Sequence, residues 1–160
     1  MSMGVSAQTP DVRSAAKRIL IVDDNEYFLP VLRSCLETQG YEVCGEAADG
    51  VAAIERAKEL KPDLIVMDMA MPRLNGMEAA AVLKNLIPKV PVVLLTIHDE
   101  EVKATSTAAF GIKAVVSKAD GISALTACLR GLLGSAVQTQ IGLTDSAVSE
   151  PSDKSLSTND

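Results

Sequence analysis

The sequence predicts an α/β fold, a doubly wound parallel sheet of five strands flanked by five helices. Three observations carry that expectation. Short apolar runs alternate with helix-period segments along residues 18–133. The runs are continuous, as in Leu64-Ile65-Val66-Met67, which fits strands buried on both faces and not half-solvated ones. Polar residues also stand at matching ends of the runs, the edge where ligands bind in such sheets.

Each element follows in order. Residues 18–22 form an apolar run that ends in Asp23-Asp24. A helical pattern spans 26–39, with Phe28, Leu32, Cys35 and Leu36 on one face and Gly40 as its stop. Pro30 is tolerated because it falls in the first turn. Residues 41–44 read as a weak strand, and 51–60 as a helix with Val51, Ile54 and Ala57 facing inward. A nearly all-apolar strand over 64–67 runs into Asp68, followed by a helix over 76–86. Residues 90–95 form another apolar strand reaching Thr96, and a helix rich in small residues covers about 100–110. The last strand, 114–117, ends at Lys118, and 122–133 is the closing helix.

Bulk composition bounds the rest. A chain of 160 residues, 48% hydrophobic, supports one well-buried core and one domain. That domain is expected over 17–142, with a flexible leader over 1–16. The polar, Ser/Asp/Thr-rich stretch over 143–160 lacks an apolar period and is expected to be disordered. No run approaches 18 apolar residues and no signal-peptide core is present, so membrane contact and export are not indicated and a cytoplasmic location is the expectation. Three cysteines, Cys35, Cys44 and Cys128, lack metal spacing and read as reduced, mostly buried thiols. The net charge of -6 argues against nucleic-acid binding by this chain alone. With one histidine no histidine metal cluster can form, and no glycine-rich nucleotide fingerprint is present.

The strand-end rule sorts the polar residues. Asp23, Asp24, Asp68, Thr96 and Lys118 all fall along one edge of the sheet. Three carboxylates in one pocket repel and need protons, a cation or both. A hard divalent ion such as Mg2+ (or Mn2+) prefers this oxygen set. With Lys118 and the Thr96 hydroxyl alongside, the pocket suits a phosphoryl group, and Asp68 is its natural nucleophile.

With the pieces ILIVDDNE (19–26), LIVMDMAMPRLNGME (64–78), VVLLT (92–96) and GIKAVVSKAD (111–120), the sequence resembles the receiver domain of two-component response regulators. The resemblance implies a flavodoxin-like strand order 2-1-3-4-5 and a phosphorelay role, in which a sensor histidine kinase or phosphotransfer protein supplies a phosphoryl group to Asp68. Asp23 and Asp24 would be acidic magnesium residues, with Asp24 the closer ligand, Asp23 acting mainly through water, and the main-chain carbonyl of Ala70 completing the set. Thr96 would sense the phosphoryl group and Lys118 would pair with it. Pro72 and Gly76 would shape the loop after the nucleophile. Output would pass to an unidentified protein target through the fourth helix, fifth strand and fifth helix, and a homodimer stays open.

Departures from the family pattern are also readable. Val115 stands where an inward-turning aromatic is frequent, so switching would rely on backbone and helix movement. Lys118 is followed by Ala119 instead of proline, so no cis bond is expected there. Met69 could touch a kinase, while Ala70 and His98 occupy positions that tune water access.

Taken alone, Asp68 is an ordinary strand-end acid and Thr96 a small strand residue; their functional reading comes from company. Two further readings stand beside the phosphoacceptor. One is a phosphorylation-independent interaction module of receiver fold. The other is the isolated receiver of a DNA-binding transcriptional regulator, which the stretch KADGISALTACLR somewhat resembles. An aspartate-nucleophile phosphatase would need a second acid where Ala70 stands, so the chain is not expected to be an enzyme beyond phosphorylation and dephosphorylation of itself.

Overall fold

The computed structural model describes residues 16–97 and 107–134. Five parallel strands, β1 (Arg18–Val22), β2 (Glu42–Ala47), β3 (Leu64–Asp68), β4 (Val92–Thr96) and β5 (Ile112–Ser117), form one sheet in the order β2-β1-β3-β4-β5. Four α-helices accompany them among the described residues: α1 (Phe28–Thr38), α2 (Gly50–Leu60), α3 (Gly76–Leu86) and α4 (Gly121–Leu133). The helix expected over about 100–110 falls largely outside the described residues; its last four, Thr107–Phe110, form a 3-10 turn. His98, residues 1–15 of the leader expected over 1–16, and the segment from 135 onward also lie outside them.

Two-sided burial explains the unbroken apolar strands. Ile19, Ile21, Leu64 and Val66 meet Leu32 and Leu36 of α1 and Leu125 and Leu129 of α4 on one face. Their neighbours Leu20, Val22, Ile65 and Met67 turn to the other face, against Ala53, Ala57, Ala79, Ala80 and Leu83 of α2 and α3. Successive strand side chains alternate sides, so every position needs to be apolar.

The α2 face differs from the sequence expectation. Gly50, Ala53 and Ala57 are its buried residues and Ile54 is half-buried, whereas Val51 is 41% exposed. Small residues win the inward positions because α2 and α3 share one face of the sheet. Strand β2 also runs on to Ala47, three residues past its expected end. The three cysteines are free but only half-buried, and burial pushes the Cys44 and Cys128 thiols above their ordinary range.

Local capping sets where helices begin. The Asp49 side chain accepts from Ala52 N at 2.8 Å at the start of α2. Asn75 and Glu78 form a reciprocal capping box at the start of α3, at 2.9 and 3.0 Å. At Gly76 a Cβ would lie 2.5 Å from the carbonyl oxygen of Asp68, so α3 can start this close to the end of β3 only with glycine there. Replacing Asn75 by Ala is expected to destabilise the protein by about 1 kcal/mol, read as a lower midpoint in chemical denaturation with an unchanged denaturant slope.

Candidate functional site

Register brings the acids together. Val22 pairs with Met67 across β1 and β3, so the next residues, Asp23 and Asp68, end neighbouring strands. The backbone N–H of Asp23 continues the ladder by donating to Ala47 O at 3.0 Å. Asp68 pairs with Leu95 of β4, and Thr96 pairs with Ser117 of β5. Asp23, Asp24 and Asp68 each offer a carboxylate oxygen, and these lie within 4.8 Å of one another. Asp23 and Asp68 are buried at 1% and 6% exposure, while Asp24 is exposed.

Lys118 follows β5 directly and reaches back past β4 to both buried acids. Its Nζ donates to Asp23 Oδ2 at 2.8 Å and lies 3.2 Å from Asp68 Oδ1. The Ser117 hydroxyl accepts from Ala119 N at 3.2 Å, which fixes the turn that launches the lysine. The peptide bond between Lys118 and Ala119 is trans. The ring of Phe28, the first residue of α1, sits with its centroid 4.7 Å from the same Nζ.

A second set of contacts fixes Asp23 from below. Its Oδ1 accepts from Asn25 N at 2.8 Å. The Asn25 side chain in turn accepts from Tyr27 N and Phe28 N, at 2.9 and 3.2 Å. The turn between β1 and α1 is thus organised around the acid it carries. Asn25 is not among the residues singled out by sequence, although an Asx residue just ahead of a helix is a turn and cap signal. Phe28 is legible there only as an apolar face residue.

Electrostatics follow from this crowding. Burial pushes the Asp68 carboxyl above its ordinary value, and the neighbouring Asp23 charge adds to the effect; Lys118 offsets only part of it. For Lys118, burial pulls the ammonium down, yet the hydrogen bond to Asp23 and the Asp68 charge outweigh it and leave it above its ordinary value. The ammonium therefore stays charged, and it is shared between two acids.

The remaining sequence-selected residues surround this centre. Thr96 is buried at the end of β4. Met69 is half-buried and packs on the α2/α3 side of the core, while its N–H donates to Leu95 O at 2.9 Å. Ala70 is exposed in the following loop, which closes where Gly76 N donates to Met69 O at 2.8 Å. Within that loop Arg73 adopts a positive φ of 70°, and its guanidinium lies 3.7 Å from Asp49 Oδ2. Val115 is half-buried on β5 beside Leu94.

Comparison with known proteins agrees with this geometry. The family described as the response regulator receiver domain matches residues 19–130. Chemotaxis protein CheY of Thermotoga maritima is 34% identical over 102 residues, covering 64% of this chain and 85% of that protein. Response regulator protein VraR of Staphylococcus epidermidis is 47% identical over 90 residues, covering 54% of this chain and 43% of its own length. The chain thus spans most of the chemotaxis relative but less than half of several longer ones. Among solved structures, the signal receiver domain of NarL from Mycobacterium tuberculosis superposes with a TM-score of 0.64 at 28% identity, covering 72% of this chain and 98% of that one.

The raised Asp68 carboxyl has a consequence for stability. As pH rises from the ordinary carboxylate range through the folded-state value, the unfolded chain has already lost its proton while the folded chain has not, so stability falls. Replacing Asp68 by Asn is therefore expected to raise the melting temperature of the metal-free protein at neutral pH. The gain should disappear on acidification below the ordinary carboxylate range. Melting curves of both forms across pH check this.

Proposed function

The chain belongs to the response regulator receiver family of two-component signalling, and on that premise we propose that Asp68 is its phosphoacceptor. The observation that carries the reading is the meeting of three carboxylates within 4.8 Å with one lysine held 3.2 Å from Asp68. A carboxylate needs no base to attack phosphorus. One Asp68 oxygen forms the new P–O bond while the bond to the donor breaks, with its electron pair leaving on the donor. For a phosphohistidine donor the leaving atom is an imidazole nitrogen, and for acetyl phosphate it is an acetate oxygen.

Asp23, Asp24 and Asp68, all oxygen donors, fit a hard divalent cation such as Mg2+, with the Ala70 carbonyl as a fourth protein ligand. Bound there, the cation supplies charge that offsets both the crowded carboxylates and the incoming phosphoryl oxygens. Asp24, exposed at the mouth, would hold it directly. Asp23 is engaged on both oxygens by Asn25 and Lys118, which favours a part played through water.

Lys118 pairs with a phosphoryl oxygen once the group has arrived, and the Thr96 hydroxyl meets another. The phosphoryl donor is a sensor histidine kinase or a phosphotransfer protein, and the signal leaves through β5, α4 and the segment before them. Val115 carries no ring to turn inward, so backbone and helix displacement transmit the change.

Incubation with acetyl phosphate and Mg2+ is expected to add one phosphoryl mass, read by intact-mass spectrometry. The gain should need Mg2+ and be absent from Asp68→Asn. A folded wild-type chain that gains no mass from acetyl phosphate or from a phosphorylated histidine donor contradicts the reading. Separately, Mg2+ at about 100 times its dissociation constant should stabilise the protein by about 2.7 kcal/mol. Most of that thermal shift should be lost in Asp24→Asn, a substitution at an exposed residue that leaves the core packing untouched.

A further inference from the structure

We propose that Phe28 is a positioning residue for Lys118, and that its aromatic ring keeps the ammonium between Asp23 and Asp68, where it can meet an arriving phosphoryl group. The inference rests on the phosphoacceptor reading of Asp68. It starts from an inequality in the site: Lys118 Nζ is 2.8 Å from Asp23 but 3.2 Å from Asp68. A lysine is a point charge on a flexible four-carbon stem. Left to two unequal partners, it settles on the nearer acid and becomes less available to the other.

The ring of Phe28 supplies a third attraction. Its centroid is 4.7 Å from Nζ, inside the range of about 6 Å over which the negative face of an aromatic ring attracts a cation. The ring is itself well placed to hold a position. Phe28 opens α1, its N–H is taken by Asn25 O and Asn25 Oδ1 at 3.0 and 3.2 Å, and its side chain packs against the core beneath α1 and α4.

These contacts close a circuit. Asp23 accepts from the Asn25 backbone, the Asn25 side chain accepts from Phe28 N, the Phe28 ring faces Lys118, and Lys118 donates back to Asp23. The first turn after β1 therefore carries both the acid that binds the lysine and the ring that limits how far it follows that acid. With Nζ already 3.2 Å from Asp68 Oδ1 and 4.7 Å from the ring centroid, the ammonium needs only a short move to meet a phosphoryl group on Asp68. A leucine or methionine at 28 would fill similar space against the core but has no π face to offer.

The test is the rate of phosphorylation of the full chain by acetyl phosphate with Mg2+, followed by intact mass. Phe28→Leu, Phe28→Met and Phe28→Tyr are compared with wild type, and Phe28→Leu is also made with Lys118→Gln. Melting curves verify that each variant is folded. Phe28→Leu and Phe28→Met are expected to slow phosphorylation roughly threefold to tenfold, with Phe28→Tyr within about twofold of wild type. With Lys118 already replaced by Gln, Phe28→Leu should cause no further slowing. Wild-type rates in both aliphatic variants overturn the inference, as does a Tyr variant as slow as Leu, or a Leu effect that persists undiminished without Lys118. A wild-type chain that takes up no phosphoryl group overturns the phosphoacceptor reading and this inference with it, an outcome distinct from a phosphorylated wild type with an indifferent Phe28.

Discussion

Three carboxylates held at the ends of two neighbouring strands, with one ammonium shared between the two that are buried, set the conditions for everything else at this edge of the sheet. Burial raises the proton affinity of the Asp68 carboxyl, and the charges of Asp23 and Asp24 beside it add to the effect. Asp68 carries the result, its carboxyl lying above the ordinary range even though Lys118 stands 3.2 Å away. A site in this condition is short of positive charge. Its three clustered carboxylates offer the oxygen donors that a divalent cation prefers.

The scaffold makes that unfavourable arrangement tolerable. Parallel register fixes Asp23 beside Asp68, because Val22 and Met67 are already paired. The two-faced apolar core, with side chains such as Ile19, Leu20, Ile65 and Met67 fully buried, supplies the stability from which the repulsion is subtracted. Close approach at Gly76 lets α3 begin directly against the carbonyl of Asp68, so the end of β3 is held on its far side. Arg73 and Asp49 tie the intervening loop to the start of α2. The clustered acids and their lysine are therefore placed by strand ends, with the helices contributing through their first turns.

Strand positions and the five polar residues at their ends are legible in the sequence, since a continuous apolar run that stops at an acid marks a strand buried on both faces and reaching the sheet edge. The finer placements are less so. Val51 reads as an inward residue by helical period, yet Ala53 and Ala57 hold the inner face because α2 must lie close to α3, a tertiary requirement with no local signature. Cys35, Cys44 and Cys128 read as core thiols, but half-burial at element edges is a matter of which helix covers them. The cradle of Asn25 and Phe28 joins the start of α1 to Lys118 at the end of β5, and no spacing rule connects them. By contrast, Asp68 and Lys118 can be paired from sequence because both stand at strand ends, and the sheet does the rest.

Titration of the Asp68 carboxyl by carbon-13 NMR, with the side-chain carboxylates labelled and Asp68→Asn used for assignment, addresses the central claim most directly. In the metal-free protein the Asp68 signal should titrate above the ordinary aspartate value, move higher still when Lys118 is replaced by Gln, and fall when Mg2+ is added. A signal at or below the ordinary value without metal, unmoved by either change, would mean that the acids do not share one electrostatic site.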